Sequence, residues 1–417
     1  MNGFGRVSHK FACFVLLVMA LSPCGARAAD STPSMFSFNG FGTAGLVHSS
    51  EKQADYTSSI VKPNGAGYSH AWSADVDSLL GAQVTANLTP QLSAVLQVIA
   101  EQNYDNTYRP HVEWANIGYQ LTPEFTVRVG RTVLPTFLFS GTRKVAYTYP
   151  WVRPPAEIYG RVPVTSSDGV DARYRFHTGD FTHAVQANYG GSEQSLPGGG
   201  GTVKAERAWG ITYTVDYHAT TVHLAYQRTT LTLESVKPIF DGFRLFGPQG
   251  IAIADQYDAQ NKPMSIMAAG ATYDPGKYFV TAEWGRTKSR SFLGKGTGWY
   301  ASGGYRFGKF TPYITYARAT ADNLSDPGLN LTTVPLFLVG TAAGLNAALN
   351  SILSQKVVQN TLSVGGRWEL TQSTAFKLQY DHTDIGAGSP GVLTNLQPGF
   401  QRGGKVNVIS ATIDWVF

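Results

Sequence analysis

The sequence predicts an all-β transmembrane antiparallel β-barrel of sixteen strands. Three observations carry that prediction. After an exported-type N-terminus, segments of about ten residues alternate apolar with polar or small side chains, which is the period of a strand with two unlike faces. Soluble strands average about five or six residues, whereas a tilted strand crossing a bilayer needs about nine to eleven. The connections fall into seven very short turns and eight longer loops, and the two terminal segments are left without a hairpin partner, free to pair with each other.

The composition agrees. Charged residues make up 15% of the 417-residue chain and aromatics 12%, with 45 glycines. A typical soluble protein carries about 25% charged residues and about 7% glycine. A hydrophobic share of 43% excludes both a disordered chain and a bundle of membrane helices.

The first element is a secretory signal. Arg6 and Lys10 precede an eleven-residue apolar stretch, 11–21, and Ala26-Arg27-Ala28 places small residues at both recognition positions of a cleavage site near Ala28 or Ala29. Eleven residues fall short of the roughly 20 that span a bilayer. A lipid-modified Cys24 is the competing reading, and Pro23 directly before it fits poorly. The expected division is therefore a cleaved signal, 1–29, and a barrel, 30–417. Residues 1–29 hold Arg6, Lys10 and Arg27 and no acid, so the formal charge falls from +5 to +2 on cleavage. The basic character lies largely in the discarded piece, and nucleic-acid binding loses its compositional support. Cys13 and Cys24 leave with it, so no disulfide is available in an oxidising compartment.

The strands follow in order. Segment 36–48 opens the sheet. Pairs 80–88 with 91–101, 111–121 with 124–131, 168–177 with 181–189 and 205–217 with 221–229 meet at Thr89-Pro90, Thr122-Pro123, Thr178-Gly179-Asp180 and His218-Ala219-Thr220. Pairs 264–273 with 277–287, 297–307 with 310–320 and 358–370 with 374–382 meet at Asp274-Pro275-Gly276, Gly308-Lys309 and Thr371-Gln372-Ser373. Segment 404–417 closes the chain. The longer loops are 49–79, 102–110, 132–167, 190–204, 230–263, 288–296, 321–357 and 383–403. Closing the sheet removes its edges, the only way a sheet can sit in lipid.

The faces separate cleanly. Ile409, Ala411, Ile413, Trp415 and Phe417 share one face of the last strand, with Ser410, Thr412 and Asp414 opposite. Leu362, Val364, Trp368 and Leu370 oppose Thr361, Ser363, Arg367 and Glu369. The outer face suits lipid, the inner face water, and Trp368 and Trp415 sit where aromatic girdles belong.

These features resemble the Gram-negative porins, on the signal peptide, the first strand FSFNGFGTAGL from Phe36 to Leu46, and the terminus ATIDWVF. The resemblance implies a homotrimer of sixteen-stranded diffusion channels in outer-membrane lipid, passing small hydrophilic solutes. It implies that Trp415 and Phe417 form the signal read by the barrel-assembly machinery, and that the third loop folds into the lumen and narrows it. In place of the PEFGG-like stretch common in general porins, that loop here reads RTVLPTFLFSGTRKVAYTYPWVRPPAEIYGRVP.

The third loop carries Arg143, Lys144, Arg153 and Arg161 against Glu157 alone, five prolines, and Phe137, Phe139, Tyr147, Tyr149, Trp151 and Tyr159. So many rings and prolines point to an ordered loop packed inside the barrel. Arg131 begins it. On the neighbouring wall Arg128 shares a face with Thr126 and Gly130, and Arg173 and Arg175 share one with Asp171. Basic lining favours anions, and carboxylates expected inward at Glu101, Glu206, Glu283, Glu369 and Asp381 moderate the preference. The expectation is a weakly anion-selective channel, with a substrate-specific channel for an organic or inorganic anion as the alternative.

In the seventh loop Leu345, Leu349, Ile352 and Leu353 have helical spacing, with Asn346 and Asn350 on another face. A barrel hydrolase is the distant alternative. The eight histidines after position 29 are scattered, His111 with Glu113 is the nearest pairing, and neither G-x-S-x-G nor H-E-x-x-H occurs. No cofactor and no metal site is expected.

Overall fold

The computed structural model describes residues 34–322 and 324–417. The expected signal peptide lies outside them. Sixteen long strands follow in chain order: β1 (Phe36–Ser49), β2 (Leu79–Asn87), β3 (Leu92–Glu101), β4 (His111–Gln120), β5 (Phe125–Val133), β6 (Ser166–Thr178), β7 (Phe181–Ser195) and β8 (Thr202–Tyr217). The second half comprises β9 (Thr220–Leu233), β10 (Lys262–Tyr273), β11 (Tyr278–Ser289), β12 (Lys295–Tyr305), β13 (Phe310–Ala321), β14 (Gln359–Glu369), β15 (Thr374–Ile385) and β16 (Gly404–Val416). Each pairs antiparallel with its neighbours in sequence, and β1 pairs with β16 from Phe41↔Val416 to Ser49↔Val408. The barrel is closed, so every strand's backbone polar groups are answered within the sheet.

The seam is tight because glycine lines it. A methyl group at Gly40 would stand 2.2 Å from the Phe417 ring, and one at Gly42 would stand 2.3 Å from the Trp415 indole. Gly40 and Phe417 also exchange two backbone hydrogen bonds, 2.8 and 2.9 Å. Outward positions are apolar and exposed, among them Ile117, Val129, Val280, Ile314, Val364 and Ile413. Inward positions such as Thr43, Thr281, Ser302, Ser363, Ser410 and Asp414 are polar and buried.

Seven turns of two to four residues join strands at one end. The other end is less uniform than the loop lengths predict. β7 and β8 keep pairing, past a bulge between Gly190 and Ser192, to Ser195↔Thr202, and β11 and β12 pair to Lys288↔Lys295. The fourth connection therefore shrinks from 190–204 to 196–201, and the sixth from 288–296 to 290–294. Polar strand extensions standing above the membrane need no apolar face, so alternation does not mark them. A bulge between Glu206 and Trp209 also resets the pattern. Glu206, expected inward, pairs with Thr230 on the face that bears Arg228.

Loops build the rest. The fifth holds α1 (Lys237–Arg244) and α2 (Gly247–Tyr257), and the seventh holds α3 (Val339–Leu353). Phe240, Phe243, Ile253, Leu349 and Leu353 bury one another in a cap. The helical stretch Leu336–Leu353 is long and apolar enough to cross a membrane, but here Leu345, Leu349 and Leu353 pack in the cap with α1 and α2, and Leu336 is exposed. Asn346 and Asn350 clasp the backbone of 326–329 through four hydrogen bonds of 2.8–2.9 Å. The first and eighth loops join in a small three-stranded sheet, 55–56, 66–67 and 393–394.

Candidate functional site

The third loop leaves β5 at Val133 and returns at Ser166, its neck closed by Leu134 N–H donating to Thr165 C=O at 2.9 Å. Between these points it descends the lumen. The Tyr147 hydroxyl donates to the Gln372 carbonyl, 2.8 Å away, in the turn between β14 and β15. The loop therefore reaches the end of the barrel opposite to its own neck.

Its rings pack on one side of the wall. Phe137, Tyr149, Trp151, Ile158 and Tyr159 bury themselves against Ile266, Phe279, Tyr300 and Tyr313. Burying aromatic surface of this size supplies most of the docking free energy. The polar tips are all answered. The Trp151 indole N–H donates to Ser302 at 2.8 Å, and the Tyr159 and Tyr300 hydroxyls donate to one oxygen of Glu283 at 2.6 and 2.7 Å. Leu138 N–H donates to the other Glu283 oxygen at 2.7 Å. Glycine again permits the approach: a methyl at Gly298 of β12 would lie 2.2 Å from the Glu157 carbonyl oxygen.

Charged groups fasten the same face. Lys377, fully buried, donates to the Ala146 and Trp151 carbonyls at 2.7 Å each and pairs with Asp414 at 3.0 Å. Arg367 donates to the Tyr147 and Tyr149 carbonyls and pairs with Glu369 at 2.6 Å. Arg153 forms a two-point pair with Asp77 of the first loop, 2.8 and 2.6 Å, reaches Ser410 at 2.7 Å, and lies 3.5 Å from Asp381. The Tyr56 ring covers its guanidinium at 5.2 Å. The Glu157 carboxylate accepts hydrogen bonds from Gln359, at 2.6 Å, and from Thr361. Burial raises its pKa above the usual carboxylate range, and those two hydrogen bonds oppose the rise.

The sequence-selected residues thus divide. Arg153 and Glu157 are buried against the wall and bind the loop to it. Arg161 rests on β11 and β12, 3.4 Å from the Thr287 hydroxyl. Arg143 is turned back on its own loop, donating to the Val162 carbonyl at 2.8 Å and to the Tyr159 carbonyl. Burial lowers its pKa. Lys144 crosses to the far wall and pairs with Glu101. Arg128 pairs with Asp171 at 2.8 Å, whose other oxygen accepts from Gln186. Arg131 pairs with Asp168 at 2.8 and 2.7 Å. The Arg173 and Arg175 side chains are exposed and form no ion pair or hydrogen bond among the described residues.

The space left between the loop and the wall of β3 to β7 is a cavity of about 350 Å³. Lys62, Arg131, Arg143, Lys144 and Arg153 border it, and so do Asp77, Glu101, Glu113, Asp168 and Glu193. Five cations thus face five carboxylates. His111 stands between Glu113 and Glu101, 3.6 and 3.8 Å from their oxygens, with no nucleophilic side chain bonded to it among the described residues. Lys62, Asp77 and Tyr56 come from the first loop, and alternation gave no reason to single them out, because a folded loop has no period. No group of three or more potential metal ligands forms among the described residues.

A closed sixteen-strand barrel with one long loop inside it narrows the identity, and comparison with known families agrees with it. The sequence model of the Gram-negative porin family matches residues 239–388, from α1 through β15. That match covers less than half of the chain and marks its likeness to the Gram-negative porins. Solved porin structures share the fold along nearly the whole chain. The anion-selective porin from Comamonas acidovorans aligns with a TM-score of 0.54 at 11% identity, covering 92% of this chain and 99% of its own. The outer membrane channel DcaP of Acinetobacter baumannii aligns at 0.53 and 11%, covering 94% and 100%. Salmonella typhi OmpF, solved with daunomycin, aligns at 0.54 and 12%, covering 92% and 97%. No curated protein matches by sequence. The barrel and the partial family match make the chain an outer-membrane channel protein.

Proposed function

We propose that this porin passes small hydrophilic solutes by diffusion with a weak preference for anions, and that it performs no catalysis. The single observation behind the preference is the pair Arg173 and Arg175, whose side chains are unpaired among the described residues on the same wall face as the neutralised Arg128–Asp171 couple. The cavity above them is balanced in charge, so it sorts little by sign. Two unpaired cations in a confined aqueous path with low-dielectric walls tip the field toward anions. The same balance disfavours the alternative of a dedicated organic-anion channel, which needs several unpaired bases around one solute. The hydrolase reading has only His111 between two carboxylates to support it, and that set lacks a nucleophile and an oxyanion pocket.

Planar-bilayer recording of the refolded protein in a KCl gradient tests this. The expected reversal potential has the sign of chloride preference, and Arg173→Gln with Arg175→Gln moves it toward zero. A wild-type potential of the cation-selective sign refutes the proposal. The same recording counts conductance steps, and steps in threes support the homotrimer that the family resemblance implies. The proposal also includes removal of residues 1–29 on export and recognition of Trp415 and Phe417 during assembly, with lipid of the outer membrane as surroundings.

A further inference from the structure

The outer surface of one barrel sector gathers unpaired bases where most outward positions elsewhere are apolar. Along β9 the outward positions read Leu224, Tyr226, Arg228, and along β11 they read Trp284, Arg286, Lys288, with Arg290 next in the series. On β12 Lys295 lies four residues from Trp299, and on β13 Arg318 follows Tyr316. On each of these four strands the bases lie on the loop side of a ring.

The register assembles them into one patch. Arg228, Ser265, Lys288 and Lys295 form a row across β9 to β12, Arg286 pairs with Met267 and Thr297, and Trp284, Trp299 and Arg318 form the row below. Adjacent strands are about 4.8 Å apart, so all six bases fall within a few strand widths. All are exposed, and none has an ion pair or side-chain hydrogen bond among the described residues. No carboxylate stands between them. Glu206 lies one outward position beyond Arg228, and Asp322 lies past the end of β13, where it accepts a hydrogen bond from the Lys295 backbone.

The depth of the patch is fixed by the rings. Trp299 and Tyr316 pack at 5.6 Å, and Trp209 and Tyr226 at 5.4 Å. Such girdles sit at the headgroup level of a bilayer. Bases directly above them on the loop side stand at the phosphates of the outer leaflet. Unpaired guanidinium and ammonium groups at that depth find their strongest partners in anionic headgroups.

We propose that β9 to β13 bind phosphate-bearing lipids of the outer leaflet through Arg228, Arg286, Lys288, Arg290, Lys295 and Arg318. This rests on the barrel's placement in an outer membrane, not on any ion preference of its lumen. It also makes this sector lipid-facing, so a contact between copies falls on the opposite side.

The test uses the refolded full-length barrel in neutral detergent, titrated with diphosphorylated lipid A, with chemically dephosphorylated lipid A and with phosphatidylcholine, read by native mass spectrometry. Wild type retains the phosphorylated lipid in preference to the other two, and binding falls as salt rises. The triple variant Arg286→Gln, Lys288→Gln, Arg318→Gln binds it on the order of a hundredfold more weakly, at about fivefold per base. Lys405→Gln, an outward base on β16, leaves binding unchanged. Equal retention of the dephosphorylated lipid by wild type overturns the proposal without any variant, as does undiminished binding by the triple variant. Conductance in phosphatidylcholine bilayers stays at the wild-type value, which separates failure here from failure of the channel reading.

Discussion

Arg153→Gln is the most informative single change in the lumen. The Arg153 side chain retains only 8% of its exposure, and its partners Asp77 and Asp381 retain 4% and 5%. Glutamine is too short to span the two-point pair, so Asp77 and Asp381 are left buried together without a cation. Removing one partner of a buried pair costs about 3–5 kcal/mol, most of it the stranding of the remaining charge. Here the loss falls on loop docking rather than on the barrel, whose hydrogen-bonded wall does not pass through Arg153. The third loop also loses its tie to the first loop at Asp77 and to β16 at Ser410. The expected phenotype is a larger and noisier single-channel conductance together with protease cleavage within 134–165, while the far-ultraviolet β signal persists. Asp77→Asn combined with Asp381→Asn in the Arg153→Gln background removes the stranded charges and recovers part of the docking. Quiet wild-type conductance in Arg153→Gln, with no new cleavage, would show that this ion pair does not hold the loop, and the reasoning fails.

Gly42→Leu forces a side chain into the Trp415 ring at the β1–β16 seam, so the heat-modifiable folded band on gels should drop severalfold, whereas Gly141→Leu, which meets nothing within 4 Å, should not change it. For Glu157 the sign is set by its raised pKa: ionisation is disfavoured in the folded state, so the docked loop weakens as pH rises through the carboxylate range. Glu157→Gln should therefore raise the melting temperature at pH 7 and give no gain at pH 3, and a gain at both sinks the argument. Lys144→Met removes the cross-lumen tie to Glu101 and uncovers a carboxylate, so reversal potentials should move toward cations. Tyr257→Phe deletes the 2.7 Å hydrogen bond to Asp326 that joins the fifth and seventh loops, at a cost of about 1 kcal/mol, seen as faster amide exchange in α2 and α3 with the strands unaffected.

The sixteen strands, their order, their two faces and the closure of the barrel were legible from the amino-acid sequence. Each rests on a local, periodic requirement: apolar outside, small or polar inside, every second residue. The helix of the seventh loop was legible for the same reason, through the spacing of Leu345, Leu349, Ile352 and Leu353. Only the tertiary structure decided which arginines lie in water. Arg153 and Arg173 look alike in a sequence, yet one is buried by Asp77 from a loop 76 residues away and the side chain of the other forms no ion pair or hydrogen bond among the described residues. Net loop charge is a sum over residues, whereas selectivity depends on what remains after pairing, and pairing is a non-local property of folded loops. The extension of β7 and β8 past the membrane, the outward turn of Glu206 at a bulge and the collection of six bases on one outer sector depend equally on register between strands distant in the chain. Periodicity specifies the face of each residue within its own strand, and only the closed barrel specifies its neighbours.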